Sequence, residues 1–148
     1  MPRFSLKSKE KLATCDSRII MVCSQVIQVM DFTVIFGHRS VEEQQRLYAK
    51  GRKKEGNEWT VVDPSKIVTK IDGVNKKSMH NYNPSAAIDI APWPVDWGDE
   101  KRFYLLAGHM LMAAYKLNIT LRWGGDWDRD YDLSDQKFND LGHFEVVG

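Results

Sequence analysis

The stretch Ala86-Ala87-Ile88-Asp89-Ile90-Ala91 carries the clearest signal of a buried strand in the sequence. Five of these six residues are apolar and Pro92 follows directly, so the pattern indicates a short buried strand over 86–91. A single carboxylate inside such a strand is costly unless it is paired with a cation or bound to a metal. Asp89 is therefore the first candidate for a functional residue.

Helical and strand patterns alternate on both sides of this stretch. Apolar residues at helical spacing predict helices, and runs of β-branched or aromatic residues predict strands. The predicted elements are helices over 8–30, 41–50 and 99–117, and strands over 32–36, 86–91, 119–123 and 143–147. Residues 51–77 and 126–142 are polar and turn-rich, and we expect loops there. This order predicts one α+β domain over 1–148, with helices packed on a small, mainly antiparallel sheet.

The composition limits the classes of partner. The chain has 21 Lys and Arg against 20 Asp and Glu, a net charge of +1, and lacks the basic excess by which proteins bind nucleic acid. The charge is uneven, because residues 50–77 are basic and residues 123–148 are acidic. The N-terminus shows no apolar signal segment, and no run reaches the ~18 apolar residues of a membrane span. We expect a soluble cytoplasmic chain with no nucleic-acid partner and no membrane insertion.

Two histidines stand near carboxylates at the ends of predicted strands. His80 precedes the strand that contains Asp89, and His143 opens the last strand, three residues after Asp140. Two imidazoles and one carboxylate form a three-ligand zinc site with an open fourth position, which is typical of catalytic zinc. Zinc makes a bound water acidic near neutral pH, and Asp140 is the candidate base for its proton. A single histidine near a strand is more often a hydrogen-bonded structural residue than a metal ligand.

Four short motifs extend this pattern over nearly the whole chain. They read Ser78-Met79-His80 followed by Asp89, Asp140-Leu141-Gly142-His143, Gly37-His38-Arg39-Ser40-Val41-Glu42-Glu43-Gln44, and Trp123-Gly124-Gly125-Asp126-Trp127. Together they resemble the motifs of the M15 metallopeptidases of the VanY/VanX type. The resemblance is strongest to the small phage endolysins that act as L-alanyl-D-glutamate peptidases.

The resemblance implies a hedgehog/DD-peptidase-like fold and a role for each matching residue. The implied zinc ligands are His80, Asp89 and His143, and the implied general base is Asp140. Arg39 is implied to be the catalytic cation that binds a substrate carboxylate. Ser78 is implied to orient the substrate or a ligand. The implied reaction is attack of a zinc-activated water on the amide between L-Ala and D-Glu of the peptidoglycan stem peptide.

One spacing departs from the family pattern. The family usually encloses six residues between the first histidine and the aspartate, whereas eight residues lie between His80 and Asp89. We interpret the difference as a two-residue insertion in the loop that leaves both ligands in place. The alternatives are a shifted zinc geometry or a reshaped subsite.

The function expected from the resemblance is that of a phage endolysin. We expect a monomer, with 1–148 as a single catalytic domain, that is made in the host cytoplasm, degrades peptidoglycan and causes bacterial lysis once a holin permeabilises the membrane. Two alternatives stay open. One is a D-alanyl-D-alanine carboxypeptidase or dipeptidase on the same scaffold, and the other is a non-catalytic, zinc-containing wall-binding module. Asp140 favours an enzyme, because a structural zinc site needs no base.

The acidic loop near the C-terminus suggests a second cation. Its carboxylates alternate along the sequence, as in calcium-binding loops, at Asp126, Asp128, Asp130 and Asp132. The loop lacks the glycine at the sixth position and the glutamate at the twelfth, where Lys137 stands, so it is not an EF-hand. A calcium site formed by these four aspartates is a hypothesis for this loop.

Overall fold

The chain folds into helices packed against one main sheet, in a computed structural model that describes all residues from 1 to 148. The helices are α1 (Leu6–Leu12), α2 (Ser17–Val26), α3 (Val41–Tyr48) and α4 (Glu100–Lys116). The strands are β1 (Phe32–Phe36), β2 (Arg52–Glu55), β3 (Glu58–Val61), β4 (Ala87–Pro92), β5 (Leu121–Gly124) and β6 (Asp140–Val146). None of the helices combines the length and the apolar character that crossing a membrane requires.

The main sheet has four strands in the order β1-β4-β6-β5, and every neighbouring pair is antiparallel. The predicted α+β class with a mainly antiparallel sheet is therefore confirmed. β4 is the strand predicted from the central apolar stretch, and it pairs with β1 on one side and β6 on the other. The register sets Asp89 of β4 opposite His143 of β6.

The hydrophobic core lies between the sheet, α2 and α4. Side chains alternate between the two faces of a strand, so Ile88 and Ile90 enter the core while Asp89 between them lies on the other face. The largest core side chains include Ile19, Val22, Ile88, Ile90, Leu106, Met110 and Phe144. This packing fixes β4 and β6 as rigid supports for the residues on their opposite face.

The first helix predicted from the sequence is two helices, so that prediction is wrong. α1 ends at Leu12, and Asp16 caps α2 by accepting a hydrogen bond from the Arg18 backbone N–H at 2.9 Å. The four residues between the helices are held by Ser85, because Asp16 N–H donates to Ser85 O at 2.8 Å and Ser85 N–H donates to Thr14 O at 2.9 Å. The break thus ties the N-terminal segment to the chain just before β4.

Other bounds also differ from the prediction: the helix over 41–50 ends at Tyr48, and the strand over 119–123 runs from Leu121 to Gly124. The predicted loop over 51–77 contains the hairpin of β2 and β3, in which Trp59 packs edge-on against Tyr48 with ring centroids 5.4 Å apart. β6 begins at Asp140 and not at His143, since Asp140 pairs with Gly124 of β5. Aspartate and glycine are uncommon in strands, which hid the start of β6 from sequence patterns. The Asp140–His143 motif therefore lies within a strand.

Candidate metal centre

His80, Asp89 and His143 converge on one site at the polar face of the sheet. His80 Nε2 lies 3.2 Å from Asp89 Oδ2, and His143 Nδ1 lies 3.0 Å from Asp89 Oδ1. One potential ligand atom from each residue lies within 4.8 Å of the other two. Asp89 comes from the middle of β4, His143 from the facing position of β6, and His80 from a 3₁₀ turn over Met79–Asn81. The structure thus brings together the three residues that the sequence proposed as zinc ligands.

The His80 ring is held with one nitrogen free for a ligand. Its Nδ1 lies 2.8 Å from the carbonyl oxygen of Gly37, which can only accept, so Nδ1 carries the proton and donates. In the neutral ring Nε2 then carries the lone pair, and this nitrogen is buried without a hydrogen-bond partner. Ser78 supports the turn because its Oγ accepts a hydrogen bond from the His80 backbone N–H at 3.2 Å. A buried imidazole nitrogen that lies beside a carboxylate and has no hydrogen-bond partner is typical of a metal ligand in a metal-free site.

The His143 ring is held by carboxylates on both sides. Its Nε2 lies 2.9 Å from Glu145 Oε1, which leaves Nδ1 directed at Asp89. Burial alone would lower the pKa of His143, but the hydrogen bonds with Asp89 and Glu145 raise it to about 9. Burial alone would raise the pKa of Asp89, but the hydrogen bond with His143 and the nearby His80 imidazole hold it well below its usual range. The pocket thus favours positive charge, which either a proton or a metal ion can supply.

The donor set fits a zinc ion. Ligand atoms at about 2.0–2.1 Å from a tetrahedral zinc ion are about 3.3 Å apart, and the two contacts of Asp89 are 3.2 and 3.0 Å. Two imidazole nitrogens and one carboxylate oxygen are ligands that zinc prefers in catalytic sites. The donor types and these spacings therefore fit such an ion. The longer loop between His80 and Asp89 leaves these two side chains in contact.

Asp140 lies at the first position of β6, where the charged groups of the cluster shift its pKa. Its pKa is raised, first by burial and then by the negative charge of Asp89, while His143, His80 and Arg39 act in the opposite direction. A carboxyl group with a raised pKa exchanges a proton more readily near neutral pH than an exposed aspartate does. Asp140 therefore has the environment of a general base and acid.

Arg39 is buried beside the cluster. Its Nη2 lies 3.7 Å from Asp89 Oδ2, its Nη1 donates to Gln44 Oε1 at 2.9 Å, and its guanidinium carbon lies 4.7 Å from the centre of the Phe36 ring. Gln44, which is 1% exposed, also donates through Nε2 to Ile71 O at 2.8 Å. Arg39 is thus held as a fixed cation next to the proposed metal position.

Sequence reasoning missed three residues of this site, namely Gln44, Asn81 and Glu145. Asn81 Nδ2 donates to Arg39 O at 2.9 Å, and Glu145 binds His143. The alternation of side chains along the last strand was a usable signal for Glu145, because it puts residues 143 and 145 on one face. No comparable signal marked the roles of Gln44, which lies in the 37–44 motif, or of Asn81, because their contacts with Ile71 O and Arg39 O join segments that are distant in sequence.

The acidic loop brings together three of its four predicted aspartates. Carboxylate oxygens of Asp126, Asp128 and Asp130 lie within 4.8 Å of one another. Asp126 is 5% exposed; its Oδ2 accepts from the Tyr131 backbone N–H at 3.0 Å, while its Oδ1 is buried without a partner. Asp132 is not part of this group, and its carboxylate accepts from the Ser134 backbone N–H at 2.9 Å.

The family model and the relatives that this chain matches are L-alanyl-D-glutamate peptidases. A family model described as phage L-alanyl-D-glutamate peptidase matches residues 1–147. The L-alanyl-D-glutamate peptidase of Escherichia phage T5 is 29% identical over 153 residues, which cover 98% of either chain. The peptidoglycan L-alanyl-D-glutamate endopeptidase CwlK of Bacillus subtilis is 32% identical over 124 residues, covering 80% of this chain and 62% of CwlK.

A solved structure supports the fold independently of sequence identity. The L-Ala D-Glu endopeptidase ChiX of Serratia marcescens superposes with a TM-score of 0.65 at 18% identity. The superposition covers 98% of this chain and 90% of ChiX. This likeness confirms the fold that the sequence motifs implied.

Proposed function

This chain belongs to the phage L-alanyl-D-glutamate peptidase family, and we propose that it is a zinc-dependent peptidoglycan endopeptidase that hydrolyses the L-Ala–D-Glu bond of the stem peptide. The observation that carries the proposal is the convergence of His80, Asp89 and His143, with one buried imidazole nitrogen left without a partner. When bound, zinc supplies a Lewis acid that polarises the scissile carbonyl and makes water a nucleophile at neutral pH.

The residues around the zinc position divide the remaining work. Asp140 accepts a proton from the attacking water and delivers it to the amine of D-Glu as the C–N bond breaks. L-Ala is left with a new carboxylate, and D-Glu with a new amino group. Arg39 binds a carboxylate of the substrate, because a guanidinium stays charged and offers paired donors. The contact of Ser78 with the His80 backbone favours the ligand-orienting role among those proposed for Ser78.

The cellular role proposed for the enzyme is that of an endolysin. Residues 1–148 act as one catalytic domain, as a monomer, with peptidoglycan as the partner. The chain is made in the host cytoplasm and reaches the wall after a holin opens the membrane, and its activity then lyses the cell. A D-alanyl-D-alanine carboxypeptidase would use the same ligands, and a non-catalytic wall-binding module would need no base. The environment of Asp140 supports the enzyme.

Two substitutions test the division of roles. We expect His80→Ala to abolish zinc binding, because it removes one of three ligands, and Asp140→Ala to retain zinc while losing lytic activity. Zinc content is measured by elemental analysis and lysis by the loss of turbidity of purified walls. Lysis by Asp140→Ala at the normal rate would show that the base is another group. Lysis that resists chelators would rule out the metal mechanism.

We also propose that the acidic loop binds calcium through Asp126, Asp128 and Asp130. The unpartnered Oδ1 of Asp126 supports this, since a buried carboxylate oxygen without a donor is costly. The next residue is Trp127, whose ring lies 5.4 Å from that of His143. Calcium that orders this loop would therefore also hold Trp127 in place beside His143 of the metal centre.

Calorimetry with calcium tests this second site. We expect binding that Asp126→Asn removes and that Asp135→Asn, a change at a neighbouring exposed carboxylate, leaves intact. Absence of calcium binding below millimolar concentration in the unmodified chain would contradict the calcium proposal and leave the zinc proposal untouched.

A further inference from the structure

We propose that Glu145 is a positioning residue for the metal centre, and that Arg122 holds Glu145 in place. Glu145 would fix both the orientation and the tautomer of His143, so that Nδ1 presents its lone pair to the ion. The inference rests on the proposed zinc site, and it adds residues that act through a ligand and do not touch the ion.

The strand β6 places Glu145 for this task. Residues two apart along a strand share a face, so Glu145 lies beside His143, while Phe144 and Val146 point into the core. The register sets Glu145 between Arg122 of β5 and Ala87 of β4. Glu145 is 6% exposed, although glutamate is almost never so deeply buried without partners.

The contacts of Glu145 account for both carboxylate oxygens. Oε1 lies 2.9 Å from His143 Nε2, and Oε2 lies 3.4 Å from Arg122 Nη1. Glu145 and Asp89 are both carboxylates that can only accept, so each ring nitrogen of His143 faces an acceptor; an ion bound on the Asp89 side would exclude the proton from Nδ1 and leave Nε2 as the donor to Glu145. The lone pair then lies on Nδ1, which faces Asp89 at 3.0 Å. Glu145 thereby stabilises the tautomer that can bind a metal at the cluster.

Arg122 prevents Glu145 from leaving this position. The Arg122 side chain is 33% exposed and reaches Glu145 from the neighbouring strand. Without it, Glu145 Oε2 would be buried with no partner, and the carboxylate would gain by turning toward water. The order Arg122, Glu145, His143 and then the ion is the carboxylate–histidine–metal arrangement by which outer contacts strengthen a metal ligand.

A purely structural role is the competing interpretation. An arginine and a glutamate facing each other on adjacent strands also stabilise a sheet. Such a pair would affect the stability of the metal-free chain, but it would leave the zinc affinity and the tautomer of His143 unchanged. Metal affinity and the state of the ring nitrogens therefore separate the two roles.

The first test measures the zinc dissociation constant of the full chain by competition with a chromophoric chelator. We expect Glu145→Ala to weaken zinc binding by about 10- to 100-fold. Glu145→Gln keeps an oxygen that accepts from Nε2, and we expect it to restore much of the affinity. Glu58→Ala, on the exposed hairpin strand β3, is the matched control and should bind zinc as the unmodified chain does.

The second test needs no variant, and so does not depend on a variant that folds. Nitrogen-15 NMR of the zinc-loaded chain reports which nitrogen of His143 carries a proton, and we expect protonated Nε2 and zinc-bound Nδ1. Zinc on Nε2, or unchanged affinity in a folded Glu145→Ala, would overturn this inference alone. Failure of the unmodified chain to bind zinc would overturn the proposed function, and this inference with it.

Discussion

Replacing Gly142 by alanine is expected to disturb the metal centre with a single added methyl group. Gly142 lies on β6 directly before His143, and its backbone approaches β4. A Cβ atom at this position would lie inside van der Waals contact with the backbone carbonyl oxygen of Ile90, next to Asp89. That oxygen belongs to the backbone of a central strand, so it cannot rotate away as a flexible side chain could. The two strands must therefore separate.

The size of the effect follows from this contact. Ordinary van der Waals contact begins at 3.4 Å, so β6 has to move by roughly 1 Å, and such overpacking costs about 1–3 kcal/mol. In a domain of this size the melting temperature falls by about 3–10 °C. The same movement lengthens the distance between His143 Nδ1 and Asp89 Oδ1, which is 3.0 Å in the unmodified chain. We expect zinc affinity to fall by about 10- to 100-fold, as it does when the support of a metal ligand is disturbed.

Thermal unfolding and zinc competition measure both consequences. The control is Gly108→Ala in α4, where no heavy atom lies within 4 Å of the added Cβ. There the change should stabilise the helix by about 0.5–1 kcal/mol and leave zinc affinity unchanged. A Gly142→Ala variant that melts and binds zinc like the unmodified chain would refute the reasoning about the close approach of the two strands.

Three further predictions follow from the site. Arg39→Lys should retain zinc but lower kcat/KM on a soluble stem peptide by about 10- to 100-fold, because lysine lacks the paired donors. An unchanged kcat/KM would show that Arg39 does not bind the substrate. Gln44→Leu should lower kcat/KM without weakening zinc binding, because it frees the Arg39 guanidinium and leaves Ile71 O without its donor. A loss of zinc binding would show instead that Gln44 helps to position the zinc ligands. In the metal-free chain the pKa of His143 is raised from 6.5 to about 9, so its contribution to stability is full below about pH 6.5 and is lost as the pH rises through about 9. Urea unfolding of the metal-free chain, relative to His143→Gln, should show this loss, and a difference that grows with pH would contradict it.

The central strand and its carboxylate could be predicted from the sequence because both signals are local. An apolar run closed by proline predicts a strand, and the cost of burying the Asp89 charge marks a functional residue without knowledge of the fold. The helix α4 and the strand β1 were predicted within one residue at either end for the same reason.

The contacts between distant segments could not be derived from local patterns. That His143 faces Asp89 depends on the register of β4 and β6, and before the structure only their residue types and the motif resemblance linked the two residues. The helix break at Asp16 escaped prediction because apolar spacing continued across it, while the backbone bonds to Ser85 that hold the break are long-range. Glu145 was missed because its contact with Arg122 depends on the pairing of β5 with β6.

The central claim is that this chain uses a zinc site to cut between L-Ala and D-Glu, and mass analysis of the products tests it most directly. Purified peptidoglycan is digested with the zinc-loaded chain, with the chain after chelation, and with the chelated chain after zinc is restored. We predict peptides with a new N-terminal D-Glu, lost on chelation and recovered with zinc. Release of free D-Ala, or D-Glu-terminated peptides at full yield after chelation, would contradict the account.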